Sequence, residues 1–155
     1  MLTAIPGEEY GVTFADWQQA IAQTILPAPQ WLAQEKHLDE RMILESVGRV
    51  FGYPLRETLD LNLIASDLIK QIPLLLAQRA CILPLAIDDD GAVLLACSDP
   101  FRTEIQAELD RRLHTLCRYI LVPHALIASA WPRIYAQAHA SASDVLDTLQ
   151  DAPLE

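Results

Sequence analysis

The chain has 155 residues, with 21 acidic side chains against 11 lysines and arginines, and its formal net charge is −10. An apolar content of 52% is enough for a packed core, so the composition excludes wholesale disorder. The acidity argues against nucleic acid and against an anionic membrane surface, because both need clustered lysine and arginine. We therefore expect one compact domain with no nucleic-acid partner.

The cysteines and the apolar segments indicate a cytoplasmic protein. The three cysteines lie in apolar surroundings without a Cys-x-x-Cys pair, which is typical of reduced core residues. Glu8 and Glu9 stand where a signal peptide would be basic. The longest apolar runs, Ile72–Ala77 and Cys81–Ile87, are too short to cross a bilayer. We expect no direct membrane insertion, and attachment to the inner membrane only through a partner or parent protein.

The N-terminal part of the chain has the pattern of two helices. Thr13 followed by Asp16 is a helix-starting pair, and apolar residues at helical spacing predict an amphipathic helix over Phe14–Leu26. Prolines end this helix, and a short helical piece is predicted around Trp31–Glu35.

Three further helices are expected before residue 80. Asp39 can cap the first of them, and Gly52 stands at its C-terminal end. Two short helices, over Asp67–Gln71 and Leu74–Arg79, follow.

After residue 80 the sequence pattern becomes that of β-strands. Two apolar runs, Cys81–Ile87 and Ala92–Cys97, flank the turn Asp88–Gly91, which predicts a hairpin. A helix follows the hairpin, a third strand is predicted over Leu116–Val122, and Pro123 leads into a last helix. The sequence therefore predicts an α+β fold. Its N-terminal helices precede a three-stranded, mainly antiparallel sheet, in the order strand–strand–helix–strand–helix, with helices packed on one face.

We divide the chain into three parts. Residues 1–37 form an N-terminal helical annex, and residues 38–139 form the α+β domain. Residues 140–155 lose periodicity and turn small and acidic, so we expect a flexible tail or linker there.

The sequence offers no complete set of catalytic or metal-binding residues. Its five glycines do not cluster into a phosphate-binding loop, and its four histidines lack metal-binding spacing. The acidic run Asp88–Asp90 lacks the pattern of a calcium loop and is better read as a solvated turn. We expect no enzyme activity, no cofactor and no metal. A small enzyme built on Cys97 or Asp99 is the remaining alternative, which rapid alkylation of Cys97 would support.

The stretch from residue 51 onward resembles a known family. The segments that carry the likeness are Phe51–Leu55 (FGYPL), Ile72-Pro73, Ile82–Leu85, Asp90-Gly91, Ala96–Pro100 (ACSDP) and a closing helix from Ile127 to Tyr135. In this order they are similar to the N-terminal (MshEN-type) domain of type II secretion and type IV pilus assembly ATPases. The resemblance covers about residues 38–137.

The resemblance implies a non-catalytic protein-interaction or regulatory domain of a larger bacterial protein. In those ATPases this domain precedes the motor and docks on the cytoplasmic part of an inner-membrane protein. Related domains also resemble appendages of inner-membrane glycosyltransferases, which is an alternative reading.

Some members of that family bind cyclic di-GMP through paired motifs that begin with Arg-Leu-Gly and contain a helix-turn glycine. The chain has no Arg-Leu-Gly, and Ala33–His37 occupies the region where the glycine is expected. Arg41 and Arg49 are eight residues apart, so they point about 80° apart on a helix. We therefore do not expect cyclic di-GMP to bind, and a cyclic di-GMP sensor is kept as the alternative function.

The predicted partner-binding residues are Phe14, Trp17 and Trp31, because they lie outside the stretch that resembles the family. Trp17 also fits an apolar helical stripe, which favours core packing, whereas Trp31 lies in a proline-flanked segment. The net charge of −10 either favours a basic patch on a partner protein or only keeps the domain soluble.

Overall fold

In the computed structural model, which describes residues 5–23, 25–60 and 66–136, a group of helices precedes a small sheet. The helices are α1 (Phe14–Ala22), α2 (Ala28–Lys36), α3 (Glu40–Phe51), α4 (Ser66–Gln71), α5 (Leu74–Ala80), α6 (Thr103–Leu113) and α7 (residues 124–136). The strands are β1 (Ile82–Ile87), β2 (Val93–Cys97) and β3 (Cys117–Leu121). The predicted α+β class and the order of its elements are confirmed.

The sheet has the strand order β1-β2-β3 and is mixed. β1 and β2 are antiparallel because the turn Asp88–Gly91 joins them directly. β3 runs parallel to β2, with Val93 opposite Cys117 and Cys97 opposite Leu121. The expected antiparallel pairing therefore holds for the hairpin alone, since α6 carries the chain back to the end of the sheet at which β2 began.

Helix α1 begins as predicted and ends earlier. The Thr13 N–H donates to Asp16 Oδ2 at 2.9 Å, and the Asp16 N–H donates to Thr13 Oγ1 at 3.2 Å, which completes a capping box. At the other end, the Gln23 side-chain amide donates to the carbonyls of Ala20 and Leu26. The Ala20 carbonyl would accept from the fourth residue after it in a continued helix, whereas here it accepts from the Gln23 side chain, and α1 ends at Ala22 and not at Leu26.

Helix α2 is longer than the predicted piece, because Pro27 precedes its first residue and Pro29 lies in its first turn. A missing N–H has no helical partner to lose at those positions. In α3, the Asp39 carboxylate accepts from the Arg41 N–H at 3.0 Å, and Gly52 ends the helix with a φ of 78°. Both roles were predicted.

The core includes residues from both sides of position 37. Trp17, Ala28 and Leu32 are buried in the same apolar cluster as residues of the sheet. The Gly7 N–H also donates to Ser46 Oγ at 2.6 Å. The described residues before position 38 therefore pack directly on the rest of the fold, while the division at residue 37 stays a prediction. The predicted tail at 140–155 lies outside the described residues.

Candidate functional site

A buried carboxylate joins the N-terminal helices to the end of β2. Asp99, which is 3% exposed, follows β2 in the turn that leads to α6. Its Oδ2 accepts from the Ala28 N–H at 2.9 Å and from Arg102 Nε at 3.0 Å. Its Oδ1 accepts from the Phe101 N–H at 3.1 Å. Because Ala28 is the first residue of α2, the carboxylate also lies at the favourable end of the α2 dipole.

Arg102 extends this connection to two further segments. Its Nη1 donates to the Arg79 carbonyl at 2.9 Å, and its Nη2 donates to the Leu26 carbonyl at 3.1 Å. One guanidinium therefore contacts the end of α5, the segment before α2 and the carboxylate of Asp99. These segments are far apart in sequence, so only the folded chain brings them together.

A cavity of about 600 Å³ opens at this junction. We call it the junction cavity; its lining combines two arginines, two carboxylates and apolar side chains. The lining residues are Ile21, Gln23, Arg79, Asp99, Phe101, Arg102, Thr103, Glu104 and Ile105. A second cavity of about 300 Å³ shares Arg79 and Arg102 and is also lined by Cys81, His124 and Trp131.

A hydrogen-bonded pair lies beside the second cavity. Ser98 Oγ is 2.8 Å from His124 Nδ1, and the His124 N–H donates to Glu40 Oε2 at 3.0 Å. Burial, followed by repulsion from Arg102, lowers the pKa of His124. Burial raises the pKa of Glu40. The imidazole is therefore neutral at pH 7, and Glu40 caps the first turn of α7.

The three predicted partner-binding residues are in different environments. Phe14 is 64% exposed on α1. Trp17 is 4% exposed, and its indole N–H donates to the Pro6 carbonyl at 2.7 Å, so a partner would reach it only if α1 moved. Trp31 is half-buried and packs against the core. Binding of a partner to these residues stays a prediction.

The residues weighed as a phosphate clamp are engaged elsewhere. Arg41 Nε lies 3.7 Å from a carboxylate oxygen of Glu57, and Arg49 pairs with Glu9. His37 ends α2 with a φ of 56°, the left-handed conformation that favours glycine. The turn thus forms without the glycine that sequence analysis required.

Arg79, Phe101 and Arg102 were not predicted as site residues from the sequence, and Asp99 entered only as part of the ACSDP segment and as an alternative catalytic residue. The one local signal was the three-residue spacing of Asp99 and Arg102, which suits an ion pair in a turn. Nothing in the sequence indicated that Arg79 and Ile21 would line the same cavity, because 58 positions separate them.

Within the ranges described, no helix is long and apolar enough to span a membrane. The same residues contain no group of three or more His, Cys, Asp or Glu side chains that could hold a metal ion.

Comparison with known proteins gives both sequence and structural matches. The MshEN domain model matches residues 51–141, which is more than half of the chain. The solved structure of MshE with cyclic di-GMP is similar, with a TM-score of 0.60 and 24% identity over 83% of this chain and 94% of that one. No curated protein matches the chain.

Two crystal forms of the N-terminal domain of XpsE are also similar. Their TM-scores are 0.56 and 0.55, with 15% and 18% identity, and both cover 81% of this chain and 88% of that domain. At such identities the structural matches establish a shared fold.

One expectation has to be corrected. From the sequence we did not expect cyclic di-GMP to bind and kept it only as an alternative, yet MshE, which has this fold, was solved with that dinucleotide. That expectation rested on a missing local motif and a missing glycine, whereas His37 supplies the glycine-like turn and the junction cavity brings together two arginines that no local motif contains. The match over residues 51–141 establishes that the chain belongs to the MshEN domain family.

Proposed function

We propose that this domain is a non-catalytic regulatory module that binds cyclic di-GMP in the junction cavity. The observation that carries the proposal is the lining of that cavity, in which two guanidinium groups lie beside an aromatic ring and two carboxylates. Such a lining offers partners for the phosphates, the purine faces and the guanine edges of one ligand.

Arg79 is the principal candidate for a phosphate contact. It is exposed, and its guanidinium forms no ion pair with any residue of the described ranges. Arginine matches phosphate geometry because its planar fork donates two parallel hydrogen bonds. Arg102 adds a second positive charge at the same wall while it stays bound to Asp99.

Phe101 and the carboxylates suit the guanine bases. Phe101 is half-buried and lies in the cavity with Ile21, which is 44% exposed. Stacking of a base on an aromatic ring contributes about 1–3 kcal/mol. Glu104, exposed at the start of α6, is an acceptor for the N–H groups on the guanine edge.

Through the hydrogen bonds of Arg102 and Asp99, binding of such a ligand would affect the N-terminal helices. The same two side chains that line the cavity also hold the Leu26 carbonyl and the Ala28 N–H. A phosphate that draws Arg102 toward the cavity would weaken its bond to Leu26, so occupancy would change how firmly α2 is held.

The thiols support a non-catalytic role. Burial raises the pKa of Cys81 to about 11 and raises the pKa of Cys97 well above its ordinary value. Both thiols are therefore protonated at neutral pH and are poor nucleophiles.

Protein docking is the second part of the proposed function. Phe14, Ile21 and Ile25 are exposed apolar side chains in one stretch, with Ile25 90% exposed. Clustered exposed apolar side chains favour a partner surface. A larger parent or partner protein would then hold the domain on the cytoplasmic side of the inner membrane. A glycosyltransferase parent stays an untested alternative.

Titration calorimetry with cyclic di-GMP tests the ligand. We expect a micromolar isotherm, about tenfold weaker binding in Arg79→Ala, and unchanged binding in the matched control Arg133→Ala, whose arginine is exposed on α7. GMP should bind far more weakly, since it offers one base and one phosphate. Absence of heat with cyclic di-GMP, together with no ligand-induced rise in thermal stability, would refute the ligand assignment.

A further inference from the structure

A row of aromatic rings leads from the junction cavity to β3. The ring centroids of Phe101 and Phe51 are 5.3 Å apart, those of Phe51 and Tyr53 are 5.7 Å apart, and those of Tyr53 and Tyr119 are 5.8 Å apart. Phe51 is 36% exposed, and the other three rings are half-buried. We call these four residues the aromatic row.

The aromatic row contains a large share of the few aromatic residues in the chain. The chain has 3 Phe, 4 Tyr and 3 Trp, which is ten aromatic residues, and four of them lie in this row. The rings retain exposed surface, in contrast to the fully buried aliphatic side chains of the core, such as Leu121. Partly exposed aromatic clusters of this kind are enriched at protein interfaces.

A carboxylate lies beside the two tyrosines. Burial and then nearby negative groups, Asp110 of α6 among them, raise the pKa of Tyr53 and of Tyr119. The Cys117 thiol also faces Asp110. Asp110 Oδ1 is buried, but the side chain as a whole is half-buried, so the carboxylate presents a negative charge at this face of the fold. Such a charge beside aromatic rings attracts a cation from outside the fold.

From these contacts we propose that the aromatic row and Asp110 bind an arginine-bearing, basic segment of a partner protein. A guanidinium stacks on aromatic faces and pairs with a carboxylate, and both kinds of partner are presented here. Lysine fits less well, because its ammonium is a compact charge without a planar face. The net charge of −10 adds long-range attraction for a basic segment.

This inference deepens the docking part of the proposed function and rests on it. Of the residues it uses, Phe101 alone also lines the junction cavity, so its test relies on Phe51 and Asp110 and uses no nucleotide. Phe51, Tyr53, Tyr119 and Asp110 do not line the junction cavity. A failed calorimetric test with cyclic di-GMP would therefore leave this surface intact, and failure of the test below would leave the nucleotide site intact.

The test is an NMR titration of the full, isotope-labelled chain with two peptides, acetyl-Gly-Arg-Gly-Arg-Gly-amide and the same peptide with citrulline in place of arginine. Citrulline keeps the shape of arginine and removes its charge. We expect the arginine peptide to shift the resonances of Tyr53 and Tyr119 and to bind about fivefold more tightly than the citrulline peptide. Phe51→Ala and Asp110→Asn should each weaken binding about threefold or more.

The matched control is Asp89→Asn, which removes the same charge from the exposed hairpin turn. If Asp89→Asn weakens binding as much as Asp110→Asn, or if both peptides bind equally, the surface attracts charge or apolar groups in general and the proposal is overturned. Circular dichroism of each variant establishes that it is folded. Phe51→Ala alters an exposed ring and so provides a second, independent variant should Asp110→Asn unfold.

Discussion

The carboxylate of Asp99 accepts a hydrogen bond from the backbone N–H of Ala28, which lies 71 positions earlier in the chain, at a distance of 2.9 Å. The bond joins the first residue of α2 to the end of β2. Since the same oxygen also accepts from Arg102, a single buried side chain links the N-terminal helices, the sheet and the wall of the junction cavity.

Asp99→Asn should destabilise the fold by about 2–4 kcal/mol, because an amide places a donor or a weaker acceptor where Ala28 N–H and Arg102 both need an acceptor. Chemical denaturation followed by circular dichroism measures the change. Asp89→Asn removes an exposed carboxylate and should stay within about 0.5 kcal/mol of the natural chain. Equal losses in the two variants would contradict the linking role of Asp99.

Local patterns were sufficient to predict most elements of the fold. Thr13 and Asp39 begin helices, and Gly52 ends one, because each supplies a cap that depends on its immediate neighbours only. The hairpin turn at Asp88–Gly91 was visible for the same reason. Helix ends that depend on side chains were harder to predict, as with Gln23, whose side-chain amide donates to the Ala20 carbonyl at the end of α1.

The candidate site could not be predicted from the sequence, because its residues come together only in the folded chain. Arg118 of β3 illustrates the difficulty: its Nη1 and Nη2 lie 2.9 and 2.6 Å from oxygens of Asp88 and Asp90, which belong to the turn between β1 and β2. That contact follows from the parallel pairing of β2 with β3, which the sequence pattern did not indicate. Arg79, Phe101 and Arg102 are brought to the junction cavity by the same kind of long-range packing.

Gly48 lies where α3 approaches the backbone of the following segment. A Cβ at this position would be 2.5 Å from the Tyr53 carbonyl oxygen, which real Cβ atoms do not tolerate. We therefore expect Gly48→Ala to destabilise the fold by about 1–3 kcal/mol, although alanine favours a helix by about 1 kcal/mol over glycine. Thermal unfolding checks this expectation.

A suitable control for Gly48→Ala is Glu45→Ala on the exposed side of α3. This control should change stability little, because the removed side chain faces solvent. If the Gly48→Ala protein were as stable as the natural one, α3 and the Tyr53 backbone could move apart without lowering the free energy of unfolding.

The buried histidine predicts an acid-sensitive stability. Burial lowers the pKa of His124 below its ordinary 6.5, so the unfolded chain binds more protons than the folded chain just below pH 6.5. The contribution of His124 to the free energy of unfolding is thus complete above pH 6.5 and declines as the pH falls from there toward the lower folded pKa. Urea unfolding from pH 7.5 to pH 5 should show this decline.

His124→Gln should flatten that pH dependence, because glutamine does not titrate. His114→Asn, at the exposed C-terminal end of α6, is the control and should leave the slope unchanged. If the natural chain and His124→Gln lose stability in parallel, another group is responsible for the acid sensitivity.

The three thiols should react slowly in the native protein. Burial raises the pKa of Cys81 to about 11, raises that of Cys117 to about 12 with help from Asp110, and raises that of Cys97 well above its ordinary value. Alkylation by iodoacetamide at pH 7.5, followed by peptide mass spectrometry, should therefore be at least about a hundredfold slower than in urea, because the thiolate is the reactive form. Since all three cysteines share this expectation, the unfolded chain provides the reference rate for each. Rapid, selective modification of Cys97 in the folded chain would mean that its thiol is activated, and it would favour the enzyme alternative over a non-catalytic regulatory domain.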